Sequence, residues 1–250
     1  MRKQNLLWAG FLLSSTLLGW AQSGPDKVCE INVSKPKAGA AKQFEEARKQ
    51  HNNFHKTEKD KNAILVWSVM SGPATGDYLT AVCGMTWKSM DGNDAMDQRD
   101  DADRQRTMAP TLASNQQSYY ILRSDLSKDM GENPPTRLMT ATHYFVKPSG
   151  IVQFTEAIKK INAAMDKTKY PMLPWRWYQL VNGGEGPHYV LVMDRKSWGE
   201  MQGPEQSMAD MMKQAYGEDN KTLQSLREAV DHTMSELMNY RADLSYLPAK

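Results

Sequence analysis

Two stretches decide the architecture: KPKAGAAKQFEEA at residues 35–47 and KPSGIVQFTEA at residues 147–157. Phe44 and Phe154 lie 110 residues apart, as do Ala47 and Ala157, and Trp67 and Trp177. Farther on, Tyr78 answers Tyr189, Trp87 answers Trp198 and Gly92 answers Gly203, all at a spacing of 111. RSDLS at 123–127 answers RADLS at 241–245, at a spacing of 118. Anchors in one order, with spacing that drifts only through insertions, are the mark of a tandem duplication. The join falls at Glu132-Asn133-Pro134-Pro135, a turn-forming run, and gives repeats at 28–132 and 138–250.

Each repeat carries the same order of elements. A strand (28–34; 140–146) leads through Lys-Pro into a helix (38–56; 150–167). In the first helix Ala40, Phe44, Ala47, His51 and Phe54 recur every three or four residues, and in the second Phe154, Ala157, Ile161 and Met165 do the same. Two strands follow (63–70 with 78–85; 173–181 with 188–194), joined by the Gly-rich turns SGPATGD and NGGEGP. A helical region then opens at Trp87 or Trp198, with Thr86 or Ser197 as N-cap. A last strand is placed over 123–126 and 241–244.

This β-α-β-β-α-β order is the ferredoxin-like unit. The fold class is therefore α+β, with two tandem ferredoxin-like repeats. Helices on one side of each sheet leave the other side bare, and packing the two sheets face to face as an α/β barrel buries both. The chain resembles the dimeric α/β-barrel superfamily in its fused two-repeat form, whose members include NIPSNAP-like and antibiotic-biosynthesis-monooxygenase-like proteins. The resemblance rests on element order and repeat over most of the chain. No family-specific catalytic motif accompanies it.

Residues 1–21 read as an export signal: Arg2 and Lys3, an apolar run from Leu6 to Leu18, then Gly19-Trp20-Ala21 with small residues at the cleavage positions. The run is short for a bilayer span, and no later segment is apolar enough for one, so the exported chain is expected to be soluble, periplasmic or extracellular. The whole chain holds 31 Lys and Arg against 29 Asp and Glu, and Arg2 and Lys3 account for the excess. A neutral exported chain gives a nucleic-acid partner no support. Its oligomeric state is not legible.

Two cysteines in an oxidising compartment invite a disulfide. In a ferredoxin-like sheet the first and third strands are antiparallel neighbours. Cys29 begins the first and Cys83 ends the third, so a cross-strand bridge is expected on the helix-facing side, with two buried thiols as the alternative.

Strand alternation proposes a lining for the barrel interior. Ile31 and Val33 are assigned to the helices, which leaves Glu30, Asn32, Thr142 and Tyr144 inside. Arg176 and Tyr178 share an inner face, matched in the first repeat by Val66 and Ser68. Arg123 and Arg241 complete the set with Asp125 and Asp243. Three Arg with carboxylates and two Tyr could clamp an anionic or aromatic small molecule. The competing reading is that these groups satisfy one another as structural ion pairs.

Other chemistries find less support. His51 and His55 stand four apart on a helix, a metal-ligand spacing, yet no third ligand is legible. They align with Ile161 and Met165, so burial against the sheet is the preferred account and no metal is assigned. His143 aligns with Ile31 as a strand-core residue, and His232 is placed in the last long helix. Some members of the resembled superfamily bind haem through a His, but nothing selects one here, and no cofactor is expected. DGNDAMDQRDDAD at 91–103 fails the EF-hand pattern and reads as a solvated connection. Met208, Met211 and Met212 read as core filling rather than a copper site.

The function expected is therefore binding of a small ligand or partner in a duplicated barrel. The alternatives are a monooxygenase-like enzyme, cofactor-free or haem-dependent, and a non-catalytic interaction module. A binder or enzyme needs convergent polar groups in the barrel, whereas a module would fill it with side chains.

Overall fold

The computed structural model describes residues 27–91, 94–128, 135–171, 173–218 and 220–248. The export signal read at 1–21 and most of the join at 132–135 lie outside them. The first half runs β1 (Val28–Pro36), α1 (Ala41–Glu58), β2 (Leu65–Ser71), β3 (Tyr78–Met85), α2 (Asp94–Thr107) and β4 (Leu112–Leu122). The second runs β5 (Leu138–Val146), α3 (Ile151–Thr168), β6 (Trp175–Asn182), β7 (His188–Arg195), α4 (Met208–Tyr216), α5 (Thr222–Ala229) and β8 (Val230–Tyr240).

The strands close into one antiparallel ring, β1-β3-β2-β8-β5-β7-β6-β4 and back to β1. The two sheets are thus joined edge to edge. β4 pairs with β6 of the other half, and β8 pairs with β2. Closing a sheet on itself removes its exposed edges.

Both last strands lie before the RSDLS and RADLS sequences, which correct the strands expected there. RSDLS and RADLS are tight turns that latch onto the opposite half. Arg123 N–H donates to the Trp177 carbonyl at 2.8 Å, and Arg241 N–H donates to the Val66 carbonyl at 2.8 Å. Trp177 N–H in turn donates to Ser127 Oγ at 2.8 Å, and Val66 N–H donates to Ser245 Oγ at 2.9 Å. Leu126 and Leu244, both fully buried, pin the turns. Burying a Leu side chain contributes about 2–3 kcal/mol.

Among the described residues, three apolar clusters form the core. One lies under α3, α4 and α5, where Phe154 packs on Tyr189, Trp177 and Tyr144. Met211 and Met212 are buried there as filling. A smaller one lies under α1, where Phe44 packs on Tyr78 at 4.7 Å. The third is the barrel interior: Trp67, Val69, Ala81, Met139, Ala141, Val190 and Met238, with Ile31, Leu79, Tyr120 and Tyr178 against them.

That cluster reverses the face assignments on β1 and β5. Ile31 faces inward, and Tyr144 faces α3. The physical reason is that alternation separates the two faces of a strand without saying which is inner, and the closed ring turns the Ile31 face of β1 toward the barrel. Trp67 and Trp177 also part company, since Trp67 is inside the barrel and Trp177 is under α3. A one-residue offset puts Val66 and Trp177 in the same role.

The Cys29–Cys83 disulfide is formed. Cys29 lies directly opposite Cys83 in the β1–β3 register. It shares its face with Ile31, so the bridge sits on the barrel side rather than the helix side.

Candidate functional site

The residues proposed from sequence do not converge. Glu30 and Asn32 lie on the outer face of β1, where Asn32 Nδ2 donates to Glu30 Oε1 at 2.9 Å. Tyr144 packs at a tilt against Phe154 and Trp177. Arg123, 3% exposed, donates from Nε and Nη2 to the Asp125 carboxylate and from Nη1 to Gln179. Arg241 forks Asp243 in the same way and also reaches Glu45. Of the seven, only Arg176 and Tyr178 share the inner face, and Arg176 is paired with Asp194. The arginines therefore act as latches: bidentate pairing to a carboxylate holds each turn in place.

Polar groups do converge at one end of the barrel, where β5 finishes and β7 and β8 begin. His143 and Phe145 continue the inward face of Ala141, His188 that of Val190, Glu236 that of Met238. Phe145 is sandwiched between His188 and His232, with ring centroids at 4.5 and 4.2 Å and planes nearly parallel. His232 is thus a strand residue, correcting its placement on a helix. His143 stacks on His188 at 5.1 Å and extends the ladder inward.

Hydrogen bonds run through this ladder. Tyr120 Oη lies 3.5 Å from His188 Nδ1, and His188 Nε2 lies 2.9 Å from His143 Nδ1. His143 Nε2 stops 3.6 Å short of Glu236 Oε2 and is buried with no hydrogen-bond partner. Burial, then the neighbouring His143 and His232, push His188 down to about 4, so its ring is neutral near pH 7. Burial, then Glu236, push Tyr120 up to about 12. One direction of donation is consistent along the chain: Tyr120 to His188 and His188 to His143, which leaves His143 Nε2–H directed toward Glu236 without a hydrogen bond. A cleft of about 160 Å³ opens beside the ladder, lined by Phe145, Lys147, Pro187 and Asp231 among others.

A second polar cluster lies outside the barrel, between α1 and α2. His51 and His55 are 1% and 5% exposed. His51 Nδ1 lies 2.8 Å from Asp103 Oδ2, and His55 Nδ1 lies 3.0 Å from Asp60 Oδ2. Their Nε2 atoms face each other at 3.2 Å, with Asp100 Oδ1 at 3.3 and 3.4 Å. Burial pushes His51 down to about 4 against the Asp103 hydrogen bond, and raises the Asp100 carboxyl to about 6. The histidines are buried as expected from sequence. The missed partner is Asp100, because 91–103 reads as a connection whereas residues 94–107 are helix.

No family model and no curated protein matches this chain. Solved structures do. An inferred monooxygenase from Lactobacillus acidophilus aligns over 90% of this chain and 97% of its own, with TM-score 0.55 and 8% identity. An anthrone oxidase-like protein aligns over 87% and 92%, with TM-score 0.51 and 12% identity. A chlorite dismutase variant from Candidatus Nitrospira defluvii aligns over 85% and 91%, with TM-score 0.52 and 9% identity. What is shared is the α+β architecture, here a closed antiparallel barrel with helices packed outside it. At these identities the likeness is one of fold.

Neither of the two clefts seen among the described residues presents a histidine to a haem. The cleft beside the ladder is too small for a porphyrin, and a larger groove of about 710 Å³ along α1 is open, polar and lined without histidine. Among the described residues, no helix is long and apolar enough to cross a membrane.

Proposed function

We propose that the protein binds a small planar aromatic molecule with a hydrogen-bonding substituent at the ladder end of the barrel. The observation that carries this reading is His143 Nε2, a buried donor with no partner, held 3.6 Å from Glu236 inside an otherwise apolar barrel. Leaving such a group unsatisfied costs about 1–3 kcal/mol, which a hydroxyl or carboxylate bridging His143 and Glu236 would recover. His232, the half-exposed outer end of the ladder, keeps one ring face uncovered for stacking, and Phe145 lines the cleft beside it. The packed remainder of the interior restricts the ligand to this end.

A second reading is favoured by the hydrogen-bonded chain itself. Tyr120, His188, His143 and Glu236 can move a proton to or from a bound phenol-type group, as a monooxygenase-like enzyme would require. The fold neighbours described as a monooxygenase and as anthrone oxidase-like support it at the level of fold only. In either reading the chain is a tandem duplication of ferredoxin-like halves. It is exported after loss of residues 1–21, with a small molecule rather than nucleic acid as its partner.

Thermal-shift screening with phenols and aromatic carboxylates tests the binding reading. Compounds that raise the melting temperature of the wild type should lose that effect in His143→Gln and Glu236→Gln. Shifts insensitive to both substitutions would place the ligand elsewhere. Oxygen uptake with a bound phenol, abolished in His143→Gln, would establish the enzymatic reading.

A further inference from the structure

We propose that His51, His55 and Asp100 form a site for a divalent first-row transition-metal ion, and that zinc is the ion their geometry fits best. The three donor atoms are Nε2, Nε2 and Oδ1, at separations of 3.2, 3.3 and 3.4 Å. A tetrahedral ion with bonds of about 2.0–2.1 Å spaces its ligands about 3.3–3.4 Å apart. The triangle is therefore one face of such a tetrahedron, drawn to scale. It leaves a fourth position for water or another ligand.

The outer contacts fix the protons in the arrangement a metal needs. Both Nδ1 atoms face carboxylates, Asp103 and Asp60, so each carries the ring proton and donates it. Each Nε2 then presents a lone pair to the other and to Asp100 Oδ1, which is buried and has no hydrogen-bond partner. Three acceptors converging with no donor among them repel one another. Carboxylate–histidine–metal triads are the arrangement in which this pattern is favourable, because the outer carboxylate sets the tautomer and raises ligand basicity.

Packing points the same way. α2 reads DAMDQRDDADRQRT and offers α1 almost no apolar surface, whereas α3 is covered through Ile161, Met165 and their neighbours. Hydrophobic burial alone does not explain why α2 docks. A shared ion would staple Asp100 of α2 to two histidines of α1. The surroundings suit a cation: Asp60, Asp100 and Asp103 outnumber the buried Arg48, while Arg104 and Arg106 lie at the rim against Asp101 and Asp103. The competing occupant of the triangle is a proton on Asp100.

Calorimetric titration of the chelator-stripped, full mature chain with zinc, and with cobalt as a spectroscopic substitute, separates the two. One ion per chain is expected, with the visible absorption of four-coordinate cobalt and a rise in melting temperature on adding zinc. Asp100→Asn and His55→Gln should weaken zinc binding at least about 100-fold, and Asp60→Asn about 10- to 100-fold, with far-UV circular dichroism confirming folded variants. Glu156→Gln, which alters an exposed carboxylate on α3, should bind as the wild type does. No uptake at micromolar zinc, or equal affinity in wild type and Asp100→Asn, would overturn the proposal and leave the proton as occupant.

Discussion

His188 illustrates how burial turns an ordinary side chain into a pH-dependent one. Its folded pKa of about 4 lies below the ordinary 6.5, so between those values the unfolded chain binds more protons than the folded one. Stability should therefore be full above about pH 6.5 and be lost as pH falls toward about 4. His143 and His232 reinforce the effect, and Tyr120 and Phe145 face the ring without charge in this range. Urea midpoints at about pH 7 and about pH 4.5 should differ more for the wild type than for His188→Phe, and equal differences would reject the assignment. Burial also separates tryptophans that look alike in the sequence. Trp177→Ala, at a fully buried position, should cost about 3–5 kcal/mol. Trp87→Ala, 40% exposed, should cost much less. Calorimetry of the two variants checks the contrast. At this scale the sequence allowed Cys29 and Cys83 to be paired because a two-residue register argument suffices. It misdirected Glu30, Asn32 and Tyr144 because alternation separates two faces of a strand without saying which one a closed barrel turns inward.

At the scale of elements, the crossing of β4 and β6 depends on glycine. Gly183 has φ +90°, and a Cβ there would stand 2.3 Å from the Gln117 carbonyl oxygen. Gly72, with φ +105°, meets the Ser235 carbonyl at 2.7 Å where β2 and β8 cross. Gly183→Ala should destabilise by at least about 1–3 kcal/mol, from overpacking and strain together, as measured by urea denaturation. Breaking the Cys29–Cys83 bridge, which closes a separation of 54 residues, should cost roughly 4 kcal/mol by chain entropy. A reductant should lower the melting temperature accordingly. First strands, long helices and hairpins were legible because their patterns are strongly periodic. β4 escaped because its first half is polar and exposed, and β8 because it follows α5 without a turn. α2 escaped because it lacks an apolar stripe, and with it went the third donor of the α1–α2 cluster.

For the whole molecule, closure depends on each half supplying an edge strand to the other. Either half alone would expose Trp67 and Val69, or Met139, Ala141, Val190 and Met238, on a bare sheet. Residues 22–132 and 138–250 expressed separately should associate one to one when mixed, and size-exclusion chromatography would show it. Independent, monomeric halves would contradict the exchange. The RSDLS and RADLS resemblance is the basis for reading the two halves as repeats. It did not reveal that each motif docks on the other half, since pairing between distant segments leaves no local trace. The central claim, that the ladder end of the barrel is the ligand site, is tested most directly by nitrogen NMR of the His143 and His188 rings during titration with phenol and benzoate. The account predicts saturable shifts at both rings that Glu236→Gln removes. Both rings unmoved in the folded wild type, at ligand concentrations that saturate a thermal shift, would contradict it.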